Sequence, residues 1–233
     1  MRLSRLFVIV FVALLGVATP LKRGCTFEPA QNYAKVKLLQ PQLLSSPPAE
    51  GTKEWGKQID AVLQAQCCLS SKELTAIKDE QHVRLEMMTS LFGSYFTRER
   101  LPKIFAMLDR VINSTRLAID ADKKFWHTRR PYLTDSRVKL YVDPINDSPA
   151  YPSGHTTETR VLAEVLGLLN PEKITALRAH AEAIAIHRVE AGVHYPIDIE
   201  GGRILAMLIV GALTASDDFQ ADLATARKEI SSK

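Results

Sequence analysis

Residues 151–169 read YPSGHTTETRVLAEVLGLL, and within a few positions the pattern changes from a turn to a helix. The apolar residues then recur at the three- and four-residue spacing of one helix face: Val161, Leu162, Val165, Leu166 and Leu169. We expect a buried helix from about Thr157 to Leu169, broken by Asn170-Pro171. The turn before it would then lie at the positive end of the helix, where backbone N–H groups can meet an anion.

Helical periodicity continues on both sides of this stretch, and no alternating strand pattern of useful length occurs. The pattern predicts helices from Lys53 to Cys68 and from Asp217 to Ile230, with a Ser70-Glu73 capping box starting another. Two further stripes are Leu101, Phe105, Leu108, Ile112, Thr115 and Ile119, and then Ile174, Leu177, Ala181 and Ile184. We therefore predict an all-α single-domain helical bundle over residues 53–233, preceded by an extended arm over residues 19–52.

Each of these two stripes continues into a cation, Lys123 in the first and Arg188 in the second. A buried unpaired charge costs several kcal/mol, so an anion is expected between them. The alternative is that both side chains reach water or pair with Asp122 and Glu190. Arg130 strengthens the anion interpretation, because we expect the Lys123 helix to continue for two turns to Arg130 and to stop at Pro131.

Histidines complete a possible phosphate site. Pro196 predicts that a helix begins there, so His194 would directly precede the helix and Asp198 would lie in its first turn. The Asp198 carboxylate could then accept a hydrogen bond from one imidazole nitrogen of His194. Backbone N–H groups of Ser153, Gly154 and His155 can face the anion, although Ser153 is also a good N-cap. A serine hydrolase is disfavoured, since no G-x-S-x-G elbow is present. A metal site formed by His187, His194 and Asp198 is disfavoured too, because no H-E-x-x-H motif is present and Arg188 would repel a cation.

The amino terminus predicts a secretory signal peptide over residues 1–18. Arg2 and Arg5 precede thirteen apolar or glycine residues, a run too short to span a bilayer, with Ala18 suiting cleavage. An uncleaved anchor is the alternative. Ile204 to Leu213 is the next longest apolar run and suits a buried helix, so we expect a periplasmic or secreted protein without a stable membrane span.

Composition adds limits on partners. The chain has 30 basic and 26 acidic residues, and removal of residues 1–18 would take away Arg2 and Arg5 and no acid. The remaining near-balance gives no footprint for nucleic acid. Three cysteines, Cys25, Cys67 and Cys68, would remain after cleavage, and Cys25 could pair with either neighbour in an oxidising compartment. Oligomeric state is not readable from the sequence.

Taken together, the residues resemble the type 2 phosphatidic acid phosphatase (PAP2) superfamily, and most closely its bacterial class A non-specific acid phosphatases. The family motif K-x6-R-P is matched by residues 123–131, P-S-G-H by residues 152–155, and S-R-x5-H-x3-D by residues 187–198. The third match departs at its first position, where His187 replaces Ser. The resemblance implies a helical bundle of the PAP2 and haloperoxidase type.

The resemblance also implies roles for the site residues. His194 would attack phosphorus to form a phosphohistidine, Asp198 would orient it, and His155 would protonate the leaving group. Phosphate oxygens would be bound by Lys123, Arg130, Ser153, Gly154 and Arg188. No metal or other cofactor is implied, and vanadate is expected to inhibit as a phosphate mimic.

The function predicted first is an acid phosphatase acting on small phosphate monoesters. Since His155 must be protonated to act as an acid, we expect activity to fall as pH rises past neutrality. The alternatives are a lipid or polyprenyl phosphate phosphatase, a vanadium-dependent haloperoxidase, and a phosphate-binding protein without turnover.

Overall fold

The computed structural model describes residues 32–145 and 148–231, so the predicted signal peptide and Cys25 lie outside the described residues. Over these ranges the chain forms helices and no strand, which confirms the all-α prediction. The α-helices are α1 (Lys53–Ala65), α2 (Ser71–Asp79), α3 (Leu85–Thr89), α4 (Pro102–Trp126), α5 (Pro131–Thr134), α6 (Gly154–Leu169), α7 (Ile174–Glu190), α8 (Pro196–Thr214) and α9 (Asp217–Ser231). Short 3-10 helices cover Ala34–Leu38, Pro41–Leu43, Ser90–Phe92 and Pro171–Lys173.

Helix α6 lies at the centre of the bundle and packs against α4, α7 and α8. Its buried face includes Leu162, Val165 and Leu166, as the apolar spacing predicts. Helix α9 packs against α4, and its Phe219 and Leu223 join the same core. Four of the predicted site residues lie on these helices: Lys123 on α4, His155 in the first turn of α6, Arg188 on α7 and Asp198 in the first turn of α8.

The described part of the predicted arm packs against the bundle without forming an α-helix before Lys53. Tyr33 is fully buried, its N–H donates to Ser114 Oγ (2.9 Å), and its hydroxyl donates to Asp222 Oδ2 (2.7 Å). The Arg110 guanidinium lies over the Tyr33 ring, 4.2 Å from its centroid. Contacts to α4 and α9 therefore anchor this segment to the bundle.

Three expected helix bounds are wrong. Helix α1 ends at Ala65 and not at Cys68, because Gln66 caps it. Helix α6 begins at Gly154, three residues before Thr157, because Ser153 caps it through its Oγ. Helix α4 ends at Trp126, because His127 adopts a left-handed conformation with φ 49°. Arg130 is therefore not on α4 but directly before α5, in an extended conformation that Pro131 favours.

Glycines allow the turn at residues 151–155 to lie against α8. A Cβ on Gly202 would come within 2.9 Å of the Ser153 carbonyl oxygen, and one on Gly201 would overlap the Tyr151 ring. Without those side chains, the Ser153 N–H can donate to the Asp198 carbonyl (2.9 Å). This close approach places the predicted turn beside the first turn of α8.

None of the described helices combines the length and apolar character that crossing a membrane requires.

Candidate phosphate site

A cavity of about 390 Å³ opens between α4, α6 and the α7–α8 turn. Most of the predicted site residues line it: Lys123, Arg130, Gly154, His155, Arg188 and His194. Asp198 lies behind His194 and is almost completely buried. The structure thus brings together cations from three separate segments of the chain, as an anion site requires.

Ser153 is placed differently from the expectation. Its Oγ accepts hydrogen bonds from Thr156 N–H and Thr156 Oγ1, and its own N–H donates to Asp198. The backbone N–H of Ser153 is therefore engaged, which corrects the expectation that it faces the anion. Among the three residues of this turn, Gly154 and His155 line the cavity.

His194 is held in one tautomer by its two neighbours. Its Nδ1 lies 3.1 Å from Asp198 Oδ2, which also accepts from Tyr195 N–H (2.9 Å). Its Nε2 lies 3.3 Å from Arg130 Nη1. A guanidinium can only donate, so Nε2 is the acceptor and Nδ1 carries the proton. The lone pair of Nε2 is thereby directed to the side of the site where Arg130 lies.

Electrostatics keep the His194 imidazole neutral. Burial, followed by the charges of Arg130 and Lys123, holds the pKa of His194 well below its usual value. Burial raises the pKa of Asp198, while the Tyr195 N–H, Lys123 and Arg130 oppose this rise and favour the carboxylate. A neutral imidazole at acid pH has the free electron pair that a nucleophile needs.

Lys123 and Arg130 are fixed by backbone carbonyls. Arg130 donates from Nε to Ser148 O (2.9 Å) and from Nη1 to Val193 O (2.9 Å), and Lys123 Nζ donates to Pro149 O. Burial and the charge of Arg130 lower the pKa of Lys123 to about 7. Lys123 does not pair with Asp122, whose Oδ1 is buried without a hydrogen-bond partner in the described residues, and a bound anion would offset the cost of burying Lys123 and Arg130.

Arg188 has the greatest unused capacity to donate. Nη2 donates to the carbonyl oxygen of Ile77 (2.9 Å) and lies 3.7 Å from Glu80 Oε2. Nε is buried and has no hydrogen-bond partner within residues 32–145 and 148–231. Burial lowers the pKa of Arg188 to about 10, so the side chain remains charged. A buried guanidinium with an unsatisfied N–H at a cavity is suited to a phosphate oxygen.

His155 contacts a segment that the sequence motifs do not include. Its Nε2 lies 3.0 Å from Gln81 O and 3.2 Å from Glu80 O, in the turn after α2. A carbonyl only accepts, so Nε2 carries a proton and Nδ1 remains to take up or release another. Burial, with Arg188 as the next cause, lowers the pKa of His155 to about 3.

His187 contacts Glu80, with Nδ1 2.6 Å from Oε2, and thus lies outside the cavity lining. Sequence reasoning missed Glu80 and Gln81 because they lie more than forty positions before Lys123 and match no motif. Across the part of the chain that the structure describes, no group of three or more His, Cys, Asp or Glu residues has an arrangement that could hold a metal ion.

Comparisons with known proteins agree with the motifs. Residues 104–220 match the family model for the PAP2 superfamily. An acid phosphatase of Zymomonas mobilis is 28% identical over 134 residues, covering 56% of this chain and 51% of that protein. A non-specific acid phosphatase of Salmonella typhi is 23% identical over 198 residues, covering 82% of this chain and 79% of that protein. The chain thus matches about half the length of the first relative and most of the second.

Among solved structures, a bacterial vanadium-dependent iodoperoxidase superposes with a TM-score of 0.57 at 17% identity. The match covers 72% of this chain and 52% of that one, and at this identity it shows the fold alone. It confirms the expected helical bundle of the PAP2 and haloperoxidase type. With the family match over half of its residues and the motif side chains around one cavity, this chain belongs to the PAP2 superfamily.

Proposed function

We propose that this protein is an acid phosphatase that hydrolyses small phosphate monoesters through a phosphohistidine at His194, without a metal ion. The observation that carries the proposal is that Arg188, a buried guanidinium whose Nε has no hydrogen-bond partner in the described residues, lines the same cavity as Lys123, Arg130 and a neutral His194. Phosphate oxygens would satisfy this donor and neutralise the cations. The same cations disfavour a metal ion in the cavity.

In the first step, the Nε2 lone pair of His194 attacks phosphorus and forms a P–N bond, while the P–O bond to the leaving group breaks. The leaving oxygen takes its electron pair and receives a proton from His155. Asp198 stabilises the imidazole, which becomes positively charged when Nε2 is phosphorylated. Lys123, Arg130 and Arg188 face the negative charge on the three remaining phosphoryl oxygens.

In the second step, water attacks phosphorus from the side that the leaving group vacated. His155, now neutral, accepts the proton from the water as the new P–O bond forms. The P–N bond breaks, its electron pair returns to His194 Nε2, and inorganic phosphate leaves. His155 regains the proton that it gave in the first step, so protons and electrons balance over the cycle.

The low pKa of His155 gives a reason for acid activity that differs from the one expected from the sequence. With a pKa of about 3, His155 is neutral in the free protein at the working pH. A phosphate monoester loses its second proton near pH ~6, so the monoanion can bring the required proton into the site. Once bound, the dianion offsets Arg188 and favours the protonated form of His155.

We place this activity outside the cytoplasm, because residues 1–18 have the pattern of a cleavable signal peptide. The substrate is a small phosphorylated molecule, since the cavity volume of about 390 Å³ fits a phosphate and a modest leaving group. Vanadate is the expected inhibitor, because it presents the same oxygens to the same cations.

The test is hydrolysis of p-nitrophenyl phosphate near pH ~5.5 by purified wild type and His194→Ala, with and without EDTA. His180→Ala is the matched control, because His180 lies on α7 and bonds to Met87 O (2.9 Å) rather than to the cavity. We expect EDTA-resistant turnover in wild type and control, and loss of at least ~10⁴-fold in His194→Ala. Acid-labile, alkali-stable labelling of wild type by ³²P substrate would identify the phosphohistidine.

Activity that EDTA abolishes would overturn the metal-free mechanism. A wild type that is inactive on phosphate esters but oxidises bromide with peroxide after vanadate loading would favour the haloperoxidase alternative instead. Turnover that persists in His194→Ala would remove this residue as the nucleophile.

A further inference from the structure

The turn after α2 connects two residues of the phosphate site through a single residue, Glu80. The Glu80 carboxylate lies 2.6 Å from His187 Nδ1 and 3.7 Å from Arg188 Nη2. The Glu80 carbonyl lies 3.2 Å from His155 Nε2. The side chain of Glu80 thus contacts α7, while its backbone contacts the histidine at the start of α6.

Other contacts hold this turn close to the site. The Gln81 carbonyl lies 3.0 Å from His155 Nε2, and the Ile77 carbonyl accepts from Arg188 Nη2 (2.9 Å). Three carbonyls from one segment therefore bind the two side chains. A shift of this segment away from α7 would loosen His155 and Arg188 together.

His187 lies among carboxylates. Glu73 and Glu80 face it from α2 and its C-terminus, while Glu190 and the cation Arg188 come from α7 itself. The hydrogen bond to Glu80 raises the pKa of His187 above its usual value, against the effect of burial. His187 is therefore protonated at acid pH, and its contact with Glu80 is then an ion pair of two largely buried side chains, 17% and 14% exposed.

The family motif has serine at this position. A serine hydroxyl ends one bond closer to the backbone than histidine Nδ1 and carries no positive charge. Serine at position 187 would thus leave the Glu80 carboxylate without its closest partner. The substitution gives this chain a connection between α2 and α7 that the motif residue does not supply.

We propose that Glu80 and His187 form a positioning pair, which fixes the turn after α2 so that its carbonyls hold His155 Nε2 and its carboxylate and the Ile77 carbonyl orient Arg188. This inference rests on the proposed phosphatase function. Neither residue touches the substrate, and both act through His155 and Arg188.

The positioning has a measurable consequence for the proton donor. The Gln81 and Glu80 carbonyls raise the pKa of His155, against the larger lowering effects of burial and Arg188. If the turn moves away, this pKa falls further, and a smaller fraction of His155 in the enzyme–substrate complex is protonated at a given pH. The basic limb of the kcat profile must then move to lower pH.

The test compares full-length wild type with Glu80→Ala, Glu80→Gln, His187→Leu and His187→Asn. Glutamine and asparagine each restore part of the hydrogen bond without the charge, so they should rescue in part. His180→Leu is the matched control, since it removes a bond from the same helix to Met87 O. The measurements are kcat and KM over pH with p-nitrophenyl phosphate, and calorimetric titration with inorganic phosphate.

We expect Glu80→Ala and His187→Leu to lower kcat about tenfold and to move the basic limb of kcat down by about half a pH unit. Phosphate should bind about threefold more weakly, because Arg188 is less well oriented. The double variant Glu80→Ala/His187→Leu should be no worse than either single one, as expected for two halves of one contact. His180→Leu should leave the basic limb of the kcat profile at the same pH as in wild type.

An unmoved basic limb with unchanged phosphate affinity in folded Glu80→Ala and His187→Leu would overturn the proposal, as would additive losses in the double variant. If one alanine or leucine variant fails to fold, as shown by its circular dichroism, Glu80→Gln and His187→Asn carry the test. A wild type without phosphatase activity would refute the proposed function, whereas phosphate titration would still decide whether Glu80 orients Arg188.

Discussion

Two regions of the cavity differ in how they are held. The cradle, defined as Lys123, Arg130, Arg188, His155 and His194, is built from buried or largely buried groups bonded to backbone carbonyls or to Asp198. The rim, defined as His82, Val83, Val142 and Ile145, lines the same cavity with exposed or half-buried side chains.

This difference separates chemistry from selectivity. Cradle residues have their orientation fixed before a ligand arrives, which is the arrangement that stabilises a charged transition state. Rim residues surround the space outside the phosphate position, where a leaving group would lie. Changes in the cradle should therefore affect every substrate alike, while changes at the rim should affect substrates unequally.

The cradle is tested most severely by Asp198→Ala. The substitution removes the acceptor that lies 3.1 Å from His194 Nδ1, so the tautomer is no longer fixed and the charge that develops on the phosphorylated imidazole has no counterion. We expect kcat to fall about 10³-fold for every substrate. Steady-state kinetics of wild type and Asp198→Ala, each with an aryl and an alkyl phosphate, measures this fall in kcat.

Asp198→Asn is the matched control for shape. Tyr195 N–H donates to Oδ2, so the amide oxygen can occupy that position and still accept from His194. A smaller loss than in the alanine variant is expected, because only the charge is removed. Losses below tenfold in Asp198→Ala would show that His194 is oriented by something else.

Arg188→Lys should have the next largest effect. Lysine presents one point charge in place of a planar guanidinium, so it cannot keep the bond to Ile77 O and also offer the Nε geometry to phosphate. We expect kcat/KM to fall about 10²-fold and vanadate inhibition to weaken by a similar factor.

Arg178→Lys is the matched control for that change. Arg178 lies on the same helix but pairs with Glu164 through Nη2 and Oε2, 2.7 Å apart, away from the cavity. Its replacement should leave kcat/KM and vanadate inhibition within about twofold of the wild-type values. Equal losses in the two variants would mean that α7 as a whole, and not the guanidinium of Arg188, is responsible.

Two pH profiles distinguish the cradle without ligand from the cradle with bound substrate: kcat/KM reports on the first and kcat on the second. Free His155 has a pKa of about 3, so above that value the proton must arrive with the substrate. We expect kcat/KM to fall about tenfold per pH unit above pH ~6, where the monoanion is lost. The bound dianion raises the pKa of His155, so kcat should fall only at higher pH.

A substrate analogue whose phosphate has a lower second pKa provides the control, because its kcat/KM limb should move down while its kcat limb moves less. Basic limbs at the same pH in kcat and kcat/KM would contradict the idea that the proton enters with the substrate.

The sequence predicts the cradle better than the rim for a physical reason. Lys123 and Arg188 stand at the ends of apolar stripes, and His194 and Asp198 share one helix start, so local periodicity places them. Arg130 lines the cavity, as the motif predicts, but its predicted place on α4 is wrong. The helix ends at the left-handed His127, and the sequence has no glycine there that would indicate such a turn.

Glu80 illustrates what sequence reasoning could not find. The Ser70-Glu73 capping box correctly predicts the start of α2, yet the contact of Glu80 with His187 joins positions 107 apart. Such a contact depends on how α2 packs against α7, and no local pattern encodes that packing. The departure from serine at position 187 was the available signal, and it pointed to a changed neighbour without identifying it.

The rim is tested by Gln81→Ala, for which the smallest effect is expected. The Gln81 side chain donates from Nε2 to Asp143 Oδ2 (2.6 Å) and accepts from Asp143 N–H (3.1 Å), and so ties the turn after α2 to the segment that carries Val142 and Ile145. Alanine removes this tie but keeps the Gln81 carbonyl that holds His155. We therefore expect kcat for p-nitrophenyl phosphate to stay within about threefold, while KM changes unequally among aryl, sugar and nucleotide monophosphates. Asp143→Ala should reproduce part of the pattern, because it removes the Oδ2 acceptor but keeps the backbone N–H that donates to Gln81 Oε1. A uniform fall in kcat across all substrates would show that the rim supports the cradle, and the division between chemistry and selectivity would then be wrong.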